Sequence, residues 1–133
     1  LESANGDVSR LKMAVLFQMT YVGTPHIWYG DEVGMMGAHD PDCRRPFNWK
    51  YTEDSEKVSL RDYYKKLIQI RKENSCLRTG SFDTLIAEGM VYGYLRSDKK
   101  SSIAVILNND TNIMFGSQKY KELEKSLKKI KKL

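Results

Sequence analysis

Apolar residues recur at helical spacing in two stretches of the chain and at a spacing of two in a third. Behind Asp7, which fits an N-cap, Leu11, Ala14, Val15 and Gln18 keep helical spacing and Met13–Phe17 is apolar without a break, so a helix is predicted over about Val8–Thr20. It is apolar nearly all round its middle, which requires cover on more than one side. Gly23 and Pro25 then punctuate the chain, and His26–Tyr29 is a short apolar and aromatic run closed by Gly30. This run is predicted to be a buried strand. Gly30–Tyr51 is long for a connection and has no clear period. It carries Pro46, Phe47 and Trp49, so a packed, functional loop is expected. Thr52–Lys57 is a polar link.

Ser59-Leu60-Arg61-Asp62 resembles a capping box, with Asp in place of Glu. Leu60, Tyr63, Tyr64, Leu67, Ile68 and Arg71 follow helical spacing behind it, to about Glu73 or Asn74. From Leu77 the period becomes two, and four short strands are predicted: Arg78–Phe82, Thr84–Ala87, Val91–Arg96 and Ile103–Leu107. Glu88-Gly89 and Ser97–Lys100 are the turns. Ile113–Gly116 is ambiguous. Tyr120–Leu133 has Leu123, Leu127, Ile130 and Leu133 on one stripe and is predicted to be an amphipathic helix.

The order is therefore α/β followed by β. A lone buried strand cannot make a sheet, and a parallel strand needs neighbours brought by crossovers. The first 75 residues thus have the pattern of the end of a larger α/β domain. Three regions are expected: residues 1–76 as that end, 77–118 as a partial antiparallel β-domain, and 119–133 as a basic tail helix.

Charge changes the picture little. The net charge is +5, but residues 119–133 hold seven lysines and two glutamates, and the remaining 118 residues balance 15 basic against 15 acidic side chains. A solvated lysine face accounts for this, and neither a nucleic-acid nor a membrane partner is expected. No apolar run approaches the length of a membrane span. Cys43 and Cys76 fit neither a C-x-x-C nor a zinc spacing, so no metal is expected, and free thiols in the cytoplasm are the default. A disulfide between them stays open.

The candidate chemistry lies where the 26–29 strand ends. Asp31 and Glu32 follow it at once, and His39, Asp40, Asp42, Arg44 and Arg45 crowd the loop beyond. In α/β enzymes the sites lie past the carboxyl ends of strands. Trp28 and Tyr29 alternate in direction and are expected in the core; His26, at the strand start, is expected to be structural.

Several stretches resemble the α-amylase family of glycoside hydrolases (family 13), in its neopullulanase, cyclomaltodextrinase and maltogenic amylase group. Gly23–Glu32 (GTPHIWYGDE) resembles the family's GTPxIYYGDE stretch at the eighth barrel strand. Asp40-Pro41-Asp42-Cys43-Arg44-Arg45-Pro46 with Trp49 resembles a DPxxRxxxxW segment of that group. Leu67–Glu73 with Leu77–Gly80 resembles the last barrel helix and its exit, and Asn5–Asp7 with Arg10–Lys12 the seventh helix. The likeness covers about residues 1–110; the tail from about Ile113 departs from it.

The resemblance implies the last helix-strand-helix of a TIM (β/α)₈ barrel, followed by part of an antiparallel C-terminal β-domain. It implies a retaining glycosidase cleaving cyclomaltodextrins, pullulan or maltooligosaccharides, with no cofactor, often as a homodimer. The family's three catalytic acids are expected upstream of Leu1, so no catalytic role falls on this chain. Asp31 and Glu32 do not form a catalytic pair: adjacent residues on an extended chain point apart, and retaining glycosidases need two carboxyls about 5 Å apart on one sugar. Asp40 and Arg44 resemble an Asp and Arg of a donor-side sugar subsite, where carboxylate and guanidinium hold sugar hydroxyls. Asp31, Glu32 and His39 are possible site-lining residues. A reading of another class is a self-standing, non-catalytic carbohydrate-binding or interaction protein derived from such a segment.

Overall fold

The computed structural model describes residues 4–110 and residue 121. The expectations for Ile113–Gly116 and for the tail helix lie outside those residues. Helix α1 runs Val8–Thr20, α2 Ser55–Glu73 and the single turn α3 Cys76–Thr79. Strands β1 (Ser81–Glu88), β2 (Val91–Ser97) and β3 (Ser102–Asn108) follow. Between α1 and α2 the chain makes three short 3₁₀ turns, Asp31–Val33, Asp42–Arg44 and Trp49–Glu53.

Helix α1 begins where the sequence places it. The Asp7 carboxylate accepts from the Ser9 and Arg10 N–H groups, at 2.8 and 3.2 Å, satisfying donors a helix start leaves open. Its cover is two-sided. Val15 and Met19 are buried with Leu60, Tyr64 and Leu67 of α2, while Phe17 and Tyr21 turn to an aromatic cluster with Phe82, Tyr92 and Tyr94. Phe17 and Tyr21 meet these rings edge-on or tilted and Phe82 stacks on Tyr94, both arrangements that aromatic quadrupoles favour.

Helix α2 starts four residues before Ser59. Its cap is Asp54, whose carboxylate accepts from Glu56 and Lys57 N–H and pairs with the Lys57 ammonium at 3.1 Å. Ser59 lies inside the helix, so the capping-box reading is corrected, and the polar link is a 3₁₀ turn and a helix start. An Asp one residue ahead of a helical stretch competes well with Ser as a cap.

Two strand assignments are also corrected. Residues 26–29 form no strand, because among the described residues no neighbour pairs with them, and backbone pairing is what makes a strand. Arg78–Phe82 and Thr84–Ala87 are not separate strands. Residues 76–79 are helical, and β1 is one strand whose register shift falls between Thr84 and Ile86, beyond the break expected at Asp83. The sheet has order β1-β2-β3, antiparallel throughout.

Helix pair and sheet are joined by Arg96, which is 1% exposed. It donates to the carbonyls of Ser81 (3.0 Å), Thr20 (2.9 Å), Leu77 (3.1 Å) and Gly80 (3.2 Å). Beside it the Thr20 and Tyr94 hydroxyls share a hydrogen bond of 2.6 Å. Arg71 of α2 reaches the carbonyls of Met19 (2.8 Å) and Gly23 (2.5 Å). Its burial, then the charges of Arg96 and Arg78, lower the guanidinium pKa from its usual value.

Stability should respond at two of these positions. Arg96→Leu strands four carbonyl acceptors, two of them buried, and should cost about 3–5 kcal/mol, at roughly 1–3 kcal/mol for each buried acceptor left unpaired; urea unfolding of the two proteins measures it. Asp54→Ala should lower the unfolding midpoint more than Ser59→Ala. The Asp54 carboxyl is held below its ordinary 3.8, first by the Lys57 ammonium. A depressed folded pKa stabilises above the unfolded value, so the Asp54→Ala deficit should be constant at neutral pH and shrink as acidification passes below 3.8.

Candidate functional site

The site begins at the end of α1, where Arg71 holds the Gly23 carbonyl and the Gln18 side chain donates to His26 O at 2.5 Å. Only Ile27 of the 26–29 run packs on the helical core. Trp28 and Tyr29 are 54% and 42% exposed, which corrects their placement in the core: among the described residues no other segment covers them.

Asp31 and Glu32 lie in a 3₁₀ turn and not on the extended chain the sequence suggests, and each fixes a backbone amide. Asp31 Oδ2 accepts from Trp28 N–H at 3.0 Å and Glu32 Oε2 from Gly30 N–H at 3.0 Å. The turn they brace needs Gly30, which has φ +88° and where a Cβ would meet Met35 Sδ at 2.6 Å. Burial first, then the charges of Asp31 and Glu32, push the Tyr64 phenol well above its ordinary pKa.

Asp40 and Arg44 meet in a two-pronged ion pair. Arg44 Nε donates to Asp40 Oδ1 at 2.6 Å and its terminal nitrogen to Oδ2 at 3.1 Å. Both side chains are exposed, so the pair adds little stability. Its worth is geometric, since the fork fixes both groups in one plane. Next to it Asp42 accepts from Ala38 N–H at 3.1 Å and from Arg45 Nε at 2.6 Å. The Ala38 bond first, then the Arg45 bond, lowers the Asp42 pKa. Gly37 lets the two limbs of the loop touch: a Cβ there would sit 2.9 Å from Cys43 Cα.

Asp40 and Arg44 line a cavity of about 490 Å³ with Trp28, Tyr29 and Cys43. Cys43 Sγ lies 3.6 Å from Asp40 Oδ1. A second cavity, of about 500 Å³, is lined by Tyr29, Glu32, Phe47, Trp49, Tyr51 and Arg61. Glu32 is thus both a turn brace and a cavity wall. Asp31 lines neither cavity. His39 exposes its side chain, and its carbonyl accepts from Asp42 and Cys43 N–H. The wall residues Trp28, Tyr29, Cys43 and Arg61 are not legible as such in the sequence; the aromatic residues beside glycines carry a signal that also fits a core strand. Among the described residues no cluster of His, Cys, Asp and Glu is arranged to hold a metal, and no helix is long and apolar enough to cross a membrane. Cys43 is exposed, Cys76 is buried, and they form no disulfide.

No family model matches the chain. Known proteins do. A cyclomaltodextrinase of Thermoanaerobacter pseudethanolicus (strain ATCC 33223 / 39E) is 52% identical over 111 residues, 84% of this chain and 19% of that protein. Neopullulanase 2 of Thermoactinomyces vulgaris is 42% identical over 111 residues, 82% of this chain and 19% of that protein. A solved cyclomaltodextrinase structure matches with a TM-score of 0.75 at 46% identity, over 83% of this chain and 19% of that one. The chain spans about a fifth of the length of these relatives. With the 23–32 and 40–49 motifs and the cavity they build, these likenesses identify the chain as a member of the α-amylase family of glycoside hydrolases, in its cyclomaltodextrinase and neopullulanase group.

Proposed function

We propose that the chain is the C-terminal part of a retaining α-glucan hydrolase acting on cyclomaltodextrins, pullulan or maltooligosaccharides. In this reading residues 1–76 are the last helix-strand-helix of a (β/α)₈ barrel, 77–118 belong to a C-terminal β-domain, and the catalytic acids lie upstream. The chain alone is then inactive, and the whole enzyme is cytoplasmic. The observation that carries the reading is the two-pronged Asp40–Arg44 pair on a cavity wall beside Trp28 and Tyr29. The names of the similar proteins supply the substrate class.

The chemistry fits a sugar. A pyranose has a face of C–H groups and a rim of hydroxyls that donate and accept. Asp40 accepts, Arg44 donates, and their mutual pairing keeps both oriented while no sugar is bound, so little ordering is needed at binding. The exposed Trp28 and Tyr29 rings offer apolar faces within the same cavity. Asp31 acts at one remove, by holding the Trp28 amide.

Three measurements bear on this. Asp40→Ala in the whole enzyme should raise KM for maltooligosaccharides about tenfold or more with kcat changed less, the expected loss for a charged hydrogen bond. Unchanged kinetics would remove Asp40 from the site. Arg44→Ala should act alike, and the double variant should cost less than the product of the two, because the residues share one pair. The chain by itself should release no reducing sugar from cyclomaltodextrin; turnover by it would overturn the upstream placement of the catalytic acids.

A further inference from the structure

We infer that Asp31 and Glu32 are positioning residues, which set the directions of the Trp28 and Tyr29 rings by holding the backbone on either side of them; this rests on the reading of the Asp40–Arg44 cavity, whose wall those rings share. A side chain leaves its Cα in a direction set by the two planar peptide units that meet there. Trp28 stands between the peptide planes 27–28 and 28–29, and Tyr29 between 28–29 and 29–30. All three planes are held by residues 31 and 32. The Trp28 N–H donates to Asp31 Oδ2 at 3.0 Å, the Trp28 carbonyl accepts from the Asp31 N–H at 3.0 Å, and the Gly30 N–H donates to Glu32 Oε2 at 3.0 Å. Both ring stems are thereby fixed, one acid closing each end of the series.

The brace is itself seated. The next plane, 30–31, is held through the Gly30 carbonyl, which accepts from the Val33 N–H at 3.2 Å and the Met35 N–H at 2.9 Å. The Gly34 N–H closes the turn on the Asp31 carbonyl at 3.0 Å, and Val33 is fully buried. Asp31 lines neither cavity, so its effect on a substrate passes through Trp28. What the two acids contribute is preorganisation. The rings hold one orientation before the sugar arrives, and less order remains to be imposed at binding.

A double-variant cycle in the whole enzyme, assayed on maltooligosaccharide, tests this. Asp31→Ala should raise KM about three- to tenfold, the worth of one hydrogen bond, with kcat changed less. Asp31→Asn keeps an acceptor oxygen and should recover most of that loss. In a Trp28→Ala background Asp31→Ala should add little, because its effect passes through that ring. Glu32→Ala should behave likewise against Tyr29→Ala. Where Asp31→Ala does not fold, Asp31→Glu keeps the charge, displaces the acceptor by one methylene and should also raise KM. A KM unmoved by these Asp31 variants, an Asn variant as impaired as the Ala variant, or losses that multiply in the Trp28→Ala background would overturn the inference. If Asp40→Ala raises KM and the Asp31 and Glu32 variants do not, the inference falls and the Asp40–Arg44 reading stands. The reverse pattern supports the ring brace and removes Asp40 from the site.

Discussion

Three arginines donating to carbonyls at helix ends hold the molecule together. Helix α1 has no basic residue in its last turn, so the negative end of its dipole is met from outside, by Arg71 at Met19 and Gly23 and by Arg96 at Thr20. Arg78 does the same for α2 at the carbonyls of Arg71 and Lys72. Arg96 carries most, because it joins α1, α3 and β1 from the middle strand and, among the described residues, no carboxylate pairs with it. A guanidinium suits this position, since its donors form a planar fork that can serve several carbonyls at once. The position of the Gly23 carbonyl, and so the departure of the chain toward Trp28 and Tyr29, depends on this clamp.

Beyond the clamp, order comes from short-range polar contacts. The loop from Gly30 to Asn48 buries Val33 and little else of its apolar surface. It is shaped by carboxylates that reach amides two to four residues away, from Asp31 to Trp28, Glu32 to Gly30 and Asp42 to Ala38, a local alternative to ladder bonding. Each contact is weak alone, and the exposed ion pairs are screened by salt. Together they set a concave surface without a core beneath it. Acids that the sequence crowds into the candidate site therefore serve the backbone first.

The sequence is legible where one signal dominates. Helix α1 has an Asp cap and an unbroken apolar middle, and both its ends can be read. The hairpin turns at Gly89 and Asp98 can be read because few residues suit them. Helix α2 offers two acceptable caps, and Asp54 prevails over Ser59. His26–Tyr29 has the composition of a strand, but a strand is a relation between segments, and its partners are not among the described residues. Asp40 and Arg44 are legible through the DPxxRxxxxW resemblance, and the structure adds that they pair. The second cavity is not legible, since Phe47, Trp49 and Tyr51 are distant from Arg61 in the chain and Tyr29 looks like a core residue.

The two outer strands of the sheet differ in what they present to a newcomer. β1 carries Asp83 and Glu88 and breaks register between Thr84 and Ile86, features that discourage another strand from pairing along it. β3, of sequence SIAVILN, has no charge, no proline and no register break against β2, and among the described residues it is bonded on one side only. The sheet therefore has a direction of growth. Of the two margins, β3 is the one chemically suited to pair with a further strand, at a site far in sequence from both cavities.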